Sequence, residues 1–215
     1  MRRVHVVLLL ALSLLATCAP QTASIVHQPL PAIGSRIPEG ERVQPPSGFI
    51  AFCIREPSQC ADDAPVLPIR LDEPTWKLLQ KVDREVNQNT ARATDRENHG
   101  IHEHWAIVRN GHGDCDDIAL TKRALLHQAG LSLYNLRLAL VLTEEDSRHL
   151  VLTVDTDRGV VVLDSLNSII LPWEQTRYRW LMRQDGGAIG WVAIKNTRSW
   201  QHLVRACPLY SQGHG

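Results

Sequence analysis

Hydrophobic and polar positions fall into strand-like runs in the second half of this chain and into helical stripes before it. LRLALVLT (136–143), HLVLTVDT (149–156) and GVVVLDSL (159–166) are aliphatic, β-branched runs separated by acids and glycine, and they predict three consecutive strands. RYRWLMRQ (177–184) and GWVAIKN (190–196) alternate well enough to predict a further hairpin around DGGAIG. Upstream, Asp72 and Pro74 open a helix that carries Trp76, Leu79, Val82 and Val86 at helical spacing. A second helix is predicted over Asp114–Ala129 and stopped by Gly130. Ile118, Leu125 and Ala129 form its apolar side, and Thr121, Lys122 and Gln128 its polar side. Helices first and an antiparallel meander afterwards predict an α+β fold, with a helix packed on the sheet.

The ends and connections carry other patterns. Arg2 and Arg3 precede an apolar run from Val6 to Leu15, about 10 residues, which suits the core of an export signal and is too short to span a bilayer. Residues 1–18 are therefore expected to be a signal peptide directing export, most simply to a bacterial periplasm. LATC at 15–18 also has the form of a lipoprotein cleavage box, with Cys18 as the lipidated residue and the only point of membrane attachment; plain cleavage is the alternative. Residues 19–48, rich in Pro, Gly, Ser and Gln, predict a flexible arm, with order beginning near Phe49. A folded domain over 49–208 and a tail over 209–215 complete the division. ARATDRENHGIHEHWAIVRNGHG (91–113) predicts a long surface loop.

Charge changes the picture only by exclusion. Of 215 residues, 23 are Lys or Arg and 23 are Asp or Glu, with no basic block, so a nucleic-acid partner is not expected. Export permits disulfides. Cys53 and Cys60 flank CIREPSQC, a short loop able to close a local bridge, which leaves Cys115 and Cys207 either to pair or to stay free.

The candidate chemistry centres on GHGDCDDIAL (111–120), where Cys115 stands at a helix mouth among Asp114, Asp116 and Asp117. A helix N-terminus activates a thiol, whereas neighbouring carboxylates oppose its ionisation. A nucleophilic cysteine also needs a proton carrier and a group to orient it. His149 begins one predicted strand and Asp164 ends the next. With a four-residue loop, Asp155–Arg158, the two face each other directly; with a two-residue loop they become diagonal neighbours on one face. Trp105 is placed either lining the cleft or in the core. His99, His102, His104 and His112 match no standard zinc spacing.

GDCDDIALTKRALL, RHLVLTVDT and GVVVLDSLN, supported by PSGFIAFCIREPSQC and HEHWAIVRNGHGDC, resemble the bacterial transglutaminase-like cysteine peptidases, a family of periplasmic adhesin proteases. The resemblance implies a papain-like or transglutaminase-like core with Cys115 as nucleophile, His149 as general base and acid, and Asp164 orienting the imidazole. It implies calcium held by Asp114 and Asp116, with Asp117 beside them. A hard dication takes carboxylate oxygens, and its charge offsets theirs. It further implies a surface protein such as a large adhesin as substrate, and an inner-membrane receptor responding to a cyclic dinucleotide as partner. An amine transferase using the same triad and a non-enzymatic binding module with Cys115 paired to Cys207 are the alternatives.

Overall fold

The computed structural model describes residues 28–60, 66–186 and 189–195. The expected leader 1–18 with Cys18, the stretch 196–208 with Cys207, and the tail 209–215 lie outside them.

Among the described residues, four helices, α1 (Ser47–Arg55), α2 (Glu73–Asn89), α3 (Asp95–His99) and α4 (Cys115–Gln128), accompany nine strands. These are β1 (Glu39–Val43), β2 (Ala91–Arg92), β3 (His112–Gly113), β4 (Leu136–Leu142), β5 (Arg148–Thr156), β6 (Gly159–Leu163), β7 (Leu171–Pro172), β8 (Arg179–Gln184) and β9 (Trp191–Ile194). Seven of them form one antiparallel sheet in the order β1-β9-β8-β4-β5-β6-β7, and β2 pairs with β3 in a separate parallel ladder. The expected α+β arrangement is present. β4, β5 and β6 are a meander, but the β8–β9 hairpin docks on the free edge of β4 rather than continuing past β6.

α2 behaves as its pattern requires. The Asp72 side chain accepts the Thr75 amide at 3.1 Å as N-cap, Pro74 sits in the first turn, and Trp76, Leu79, Val82 and Val86 are buried. α2 packs on α4, and α4 on β4 and β5, around one core that also takes in Phe49, Phe52 and Trp105. The opposite face of the sheet buries Val141, Val151, Val162 and Trp180 beneath Trp173 and Tyr178.

Three expectations change. Leu125 of α4 is exposed and Ala129 too, whereas Lys122, expected on the polar side, is fully buried. A lysine is driven inside only where a partner waits: its Nζ donates to Asp83 Oδ1 at 2.6 Å and to the Asp164 carbonyl at 2.9 Å. Residues 28–48, the described part of the expected arm, join the fold. β1 pairs with β9, and Glu39 accepts hydrogen bonds from Arg137 at 2.8 Å and Arg183 at 3.2 Å. The stretch 91–113 is not a plain surface loop, since it contains β2, α3 and β3 and buries Asp95 and Trp105. Cys53 and Cys60 are joined by a disulfide, closing the loop between α1 and the turn after it.

Candidate active site

The β5–β6 turn contains only Asp157 and Arg158, with Thr156 opposite Gly159 and Leu152 opposite Leu163. Continued one residue, that register sets Asp164 level with Val151, two positions from His149 and on the same face. The direct pairing expected from a four-residue loop is therefore replaced by the diagonal one. The side chains still meet: His149 Nε2 lies 2.7 Å from Asp164 Oδ1, and both residues are buried. Nε2 is thus the nitrogen bound to the acid, and Nδ1 is the one left for other chemistry.

Asp164 is anchored on every side. Burial alone would raise its carboxyl, but hydrogen bonds and charge from His149, with further hydrogen bonds from Tyr178 and the Leu166 amide, outweigh it and hold the group below the usual value. Its main-chain oxygen accepts from Asn87 Nδ2 at 2.8 Å and from Lys122 Nζ at 2.9 Å. Lys122 lies two turns beyond Cys115 on α4. The helix carrying the cysteine is therefore tied directly to the residue carrying the acid.

Cys115 is the first residue of α4, and Asp114 caps the helix by accepting the Asp116 amide at 3.2 Å. Cys115 is buried, and its sulfur lies with one oxygen each of Asp114 and Asp116 inside a 4.8 Å cluster. The sulfur is disulfide-bonded, and the expected alternative of pairing with Cys207 falls outside the described residues. The structure thus directly joins His149 to Asp164 and gathers Cys115 with Asp114 and Asp116; Lys122 links the two groups.

The acidic cluster extends beyond the sequence motif. Asp95, first residue of α3, and Asp117 lie within 4.8 Å of each other through their carboxylate oxygens, with His99 beside them. They fold the 95–106 segment over the mouth of α4: Asp95 accepts the His104 amide, and Asp117 accepts the Ala106 amide at 2.8 Å. Asp95 was not legible as a site residue, although the capping box TDRE (94–97) announces the helix that delivers it. Trp105 belongs to the core; it is 1% exposed, edge-on to Phe49.

Burial first, then the charges of Asp114, Asp117 and Asp95, push the Asp116 carboxyl well above its usual range. Asp117 is raised to about 8 by burial, Asp114 and Asp95, and Asp114 is raised by burial first. Two buried oxygens, Asp116 Oδ2 and Asp95 Oδ1, have no hydrogen-bond partner among the described residues. Four clustered carboxylates, two of them with an unsatisfied oxygen, are a donor set for a hard, oxygen-seeking cation. The residues present fit such an ion.

The profile of the bacterial transglutaminase-like cysteine proteinases matches residues 39–199. Among solved structures, the chain is similar to calcium-bound LapG of Legionella pneumophila, with 23% identity over 62% of this chain and 76% of that one and a TM-score of 0.48. It is similar also to EGTA-treated LapG of the same organism, at 24% identity over 60% and 71%, with a TM-score of 0.47. No curated protein sequence matches it. A match running from β1 past β9, through the cysteine helix and the His149 and Asp164 strands, identifies the chain as a member of the bacterial transglutaminase-like cysteine proteinase family.

Proposed function

We propose that this protein is an exported, calcium-dependent cysteine endopeptidase with Cys115, His149 and Asp164 as its triad. The observation that carries the reading is the buried His149–Asp164 hydrogen bond, tied to the Cys115 helix by Lys122, whose Nζ donates to the Asp164 carbonyl. The Cys115 thiolate attacks a peptide carbonyl carbon, aided by the positive end of α4. The main-chain N–H of Cys115 supports the developing oxyanion. His149, protonated at Nδ1 and held through Nε2, gives its proton to the departing amine. Water, deprotonated by the same nitrogen, then hydrolyses the thioester and frees the thiol. The working form is the reduced sulfur.

Asp114 and Asp116, with Asp117 and Asp95 completing the set, would hold the calcium ion. When bound, it supplies positive charge that offsets the carboxylates beside the thiol. The export signal and the Cys53–Cys60 disulfide both support a periplasmic location. A large surface adhesin as substrate, and control by an inner-membrane cyclic-dinucleotide receptor, belong to the same reading.

The test is incubation of the reduced protein and its Cys115→Ala variant with candidate surface proteins, with and without a chelator. Cleavage by the parent alone, lost on chelation, is the expected result. Cleavage by the variant would overturn the triad, and incorporation of a labelled amine without cleavage would make the enzyme a transferase. A Cys115 that resists alkylation in the folded, reduced protein would make this sulfur structural and end the endopeptidase reading.

A further inference from the structure

The His149–Asp164 pair has a third member. Asp164 Oδ1 accepts from His149 Nε2 at 2.7 Å and from the Leu166 amide at 2.9 Å, while Oδ2 accepts from the Tyr178 hydroxyl. The tyrosine reaches this point from the side opposite the acid. Asp164 follows β6, on one edge of β5; Tyr178 precedes β8, which lies beyond β4 on the other edge. Trp180, Val141 and His149 form one cross-strand row, and Tyr178, two residues before Trp180, shares their face. Its ring centroid stands 5.7 Å from that of the imidazole, at 57° between planes. The phenol therefore does two things at once: it packs on the imidazole and it occupies the outer oxygen of the acid.

That outer oxygen has a competitor. Asp164 and Tyr178 line a cavity of about 390 Å³ shared with Thr143, Glu145, Leu166 and Ile169. Without the hydroxyl, Oδ2 would face this space and its water. The terminal torsion of an aspartate is broad, so a carboxylate pinned at one oxygen only can turn and exchange its oxygens. Each such turn would release the imidazole.

We infer that Tyr178 is a positioning residue: its hydroxyl on Oδ2 locks the Asp164 carboxylate in the orientation that holds His149 Nε2, and so fixes the imidazole whose Nδ1 the triad reading assigns to the thiol. This rests on the triad reading above. Burial first, and then the adjoining Asp164 charge, raise the phenol far above its ordinary range, which favours its role as a hydrogen-bond donor to the acid.

Tyr178→Phe keeps the ring and removes the hydroxyl; Tyr178→Leu removes both; His149→Ala is the control. All are tested as reduced full-length chains with two readouts that need no substrate. One is the hydrogen-bonded Nε2–H proton resonance of His149 in 15N-histidine-labelled protein. The other is the rate of iodoacetamide alkylation at Cys115 near neutral pH, resolved by mass spectrometry. Tyr178→Phe should broaden that resonance by faster exchange and slow alkylation about three- to ten-fold, the size of one net hydrogen bond, with an unchanged circular dichroism spectrum. A wild-type resonance and rate in Tyr178→Phe would overturn the inference, whether or not Tyr178→Leu is impaired, because ring packing alone would then suffice. If His149→Ala alkylates as fast as the parent, the triad reading itself fails, a result distinct from the failure of Tyr178 alone.

Discussion

Replacing Lys122 with Met removes the ammonium that faces the buried Asp83 carboxylate. The Lys122 side chain is 0% exposed and that of Asp83 3%, with Nζ 2.6 Å from Oδ1. Burial is the largest influence on each group, lowering the lysine and raising the aspartate, while the Coulombic attraction opposes it on both sides. Removing one partner of such a pair costs about 3–5 kcal/mol, because the other charge stays buried and uncompensated. For a domain of this size that corresponds to a fall of roughly 6–20 °C in Tm. Thermal and urea unfolding of the single variants and of Lys122→Met/Asp83→Leu would complete the cycle. The double variant should recover most of the loss, since an apolar pair of similar volume is often as stable as the buried ions it replaces. The sign with pH follows from Asp83. Its folded value is raised, so its contribution is present at acid pH and is lost as pH rises through that raised value. Without Lys122 the value rises further, and the deficit of Lys122→Met should shrink on acidification. The double variant still lacks the ammonium on the Asp164 carbonyl, so stability should return more completely than activity. A cost below about 1 kcal/mol for Lys122→Met, or a double variant no better than the sum of the singles, would refute this account of the helix–acid link.

Three further outcomes are expected. Calcium at about 100 times its dissociation constant should stabilise the protein by about 2.7 kcal/mol, read as a rise in Tm, and Asp116→Asn should lose most of that response. In metal-free protein the raised Asp116 and Asp117 groups favour folding at low pH. Stability measured by urea unfolding should therefore fall as pH climbs from the ordinary carboxylate range through the Asp117 value of about 8, and calcium should flatten that fall. Gly113→Ala would set a Cβ 2.7 Å from Asp117 Cβ and 2.8 Å from its Oδ2, displacing a carboxylate of the cluster. It should weaken calcium binding in a calorimetric titration by ten-fold or more while sparing the His149 resonance.

The periodic parts of this protein were legible because burial on one face leaves a mark at every second or third residue. α2, α4 and the strands β4, β5 and β6 lie where their patterns put them. Cys115, His149 and Asp164 could be singled out because a helix mouth and two strand ends are readable positions. Lys122 could not, because periodicity assigns a charged residue to solvent, and only the presence of Asp83 on another helix reverses that. Asp95 escaped for the same reason: a carboxylate in a polar stretch reads as solvated until the chain folds it against α4.

Taken alone, the sequence determined the local matters: which segments are helix or strand, where α4 begins, and that the acid and the imidazole share a face for any even-numbered turn. Tertiary structure decided everything that depends on a second segment arriving. It set the two-residue turn and hence the diagonal His149–Asp164 contact, brought Tyr178 across β4 to the outer carboxylate oxygen, and gathered four aspartates about one helix mouth. Strand and helix periods are properties of neighbouring residues, whereas a buried charge is tolerable only through partners that sequence distance does not reveal.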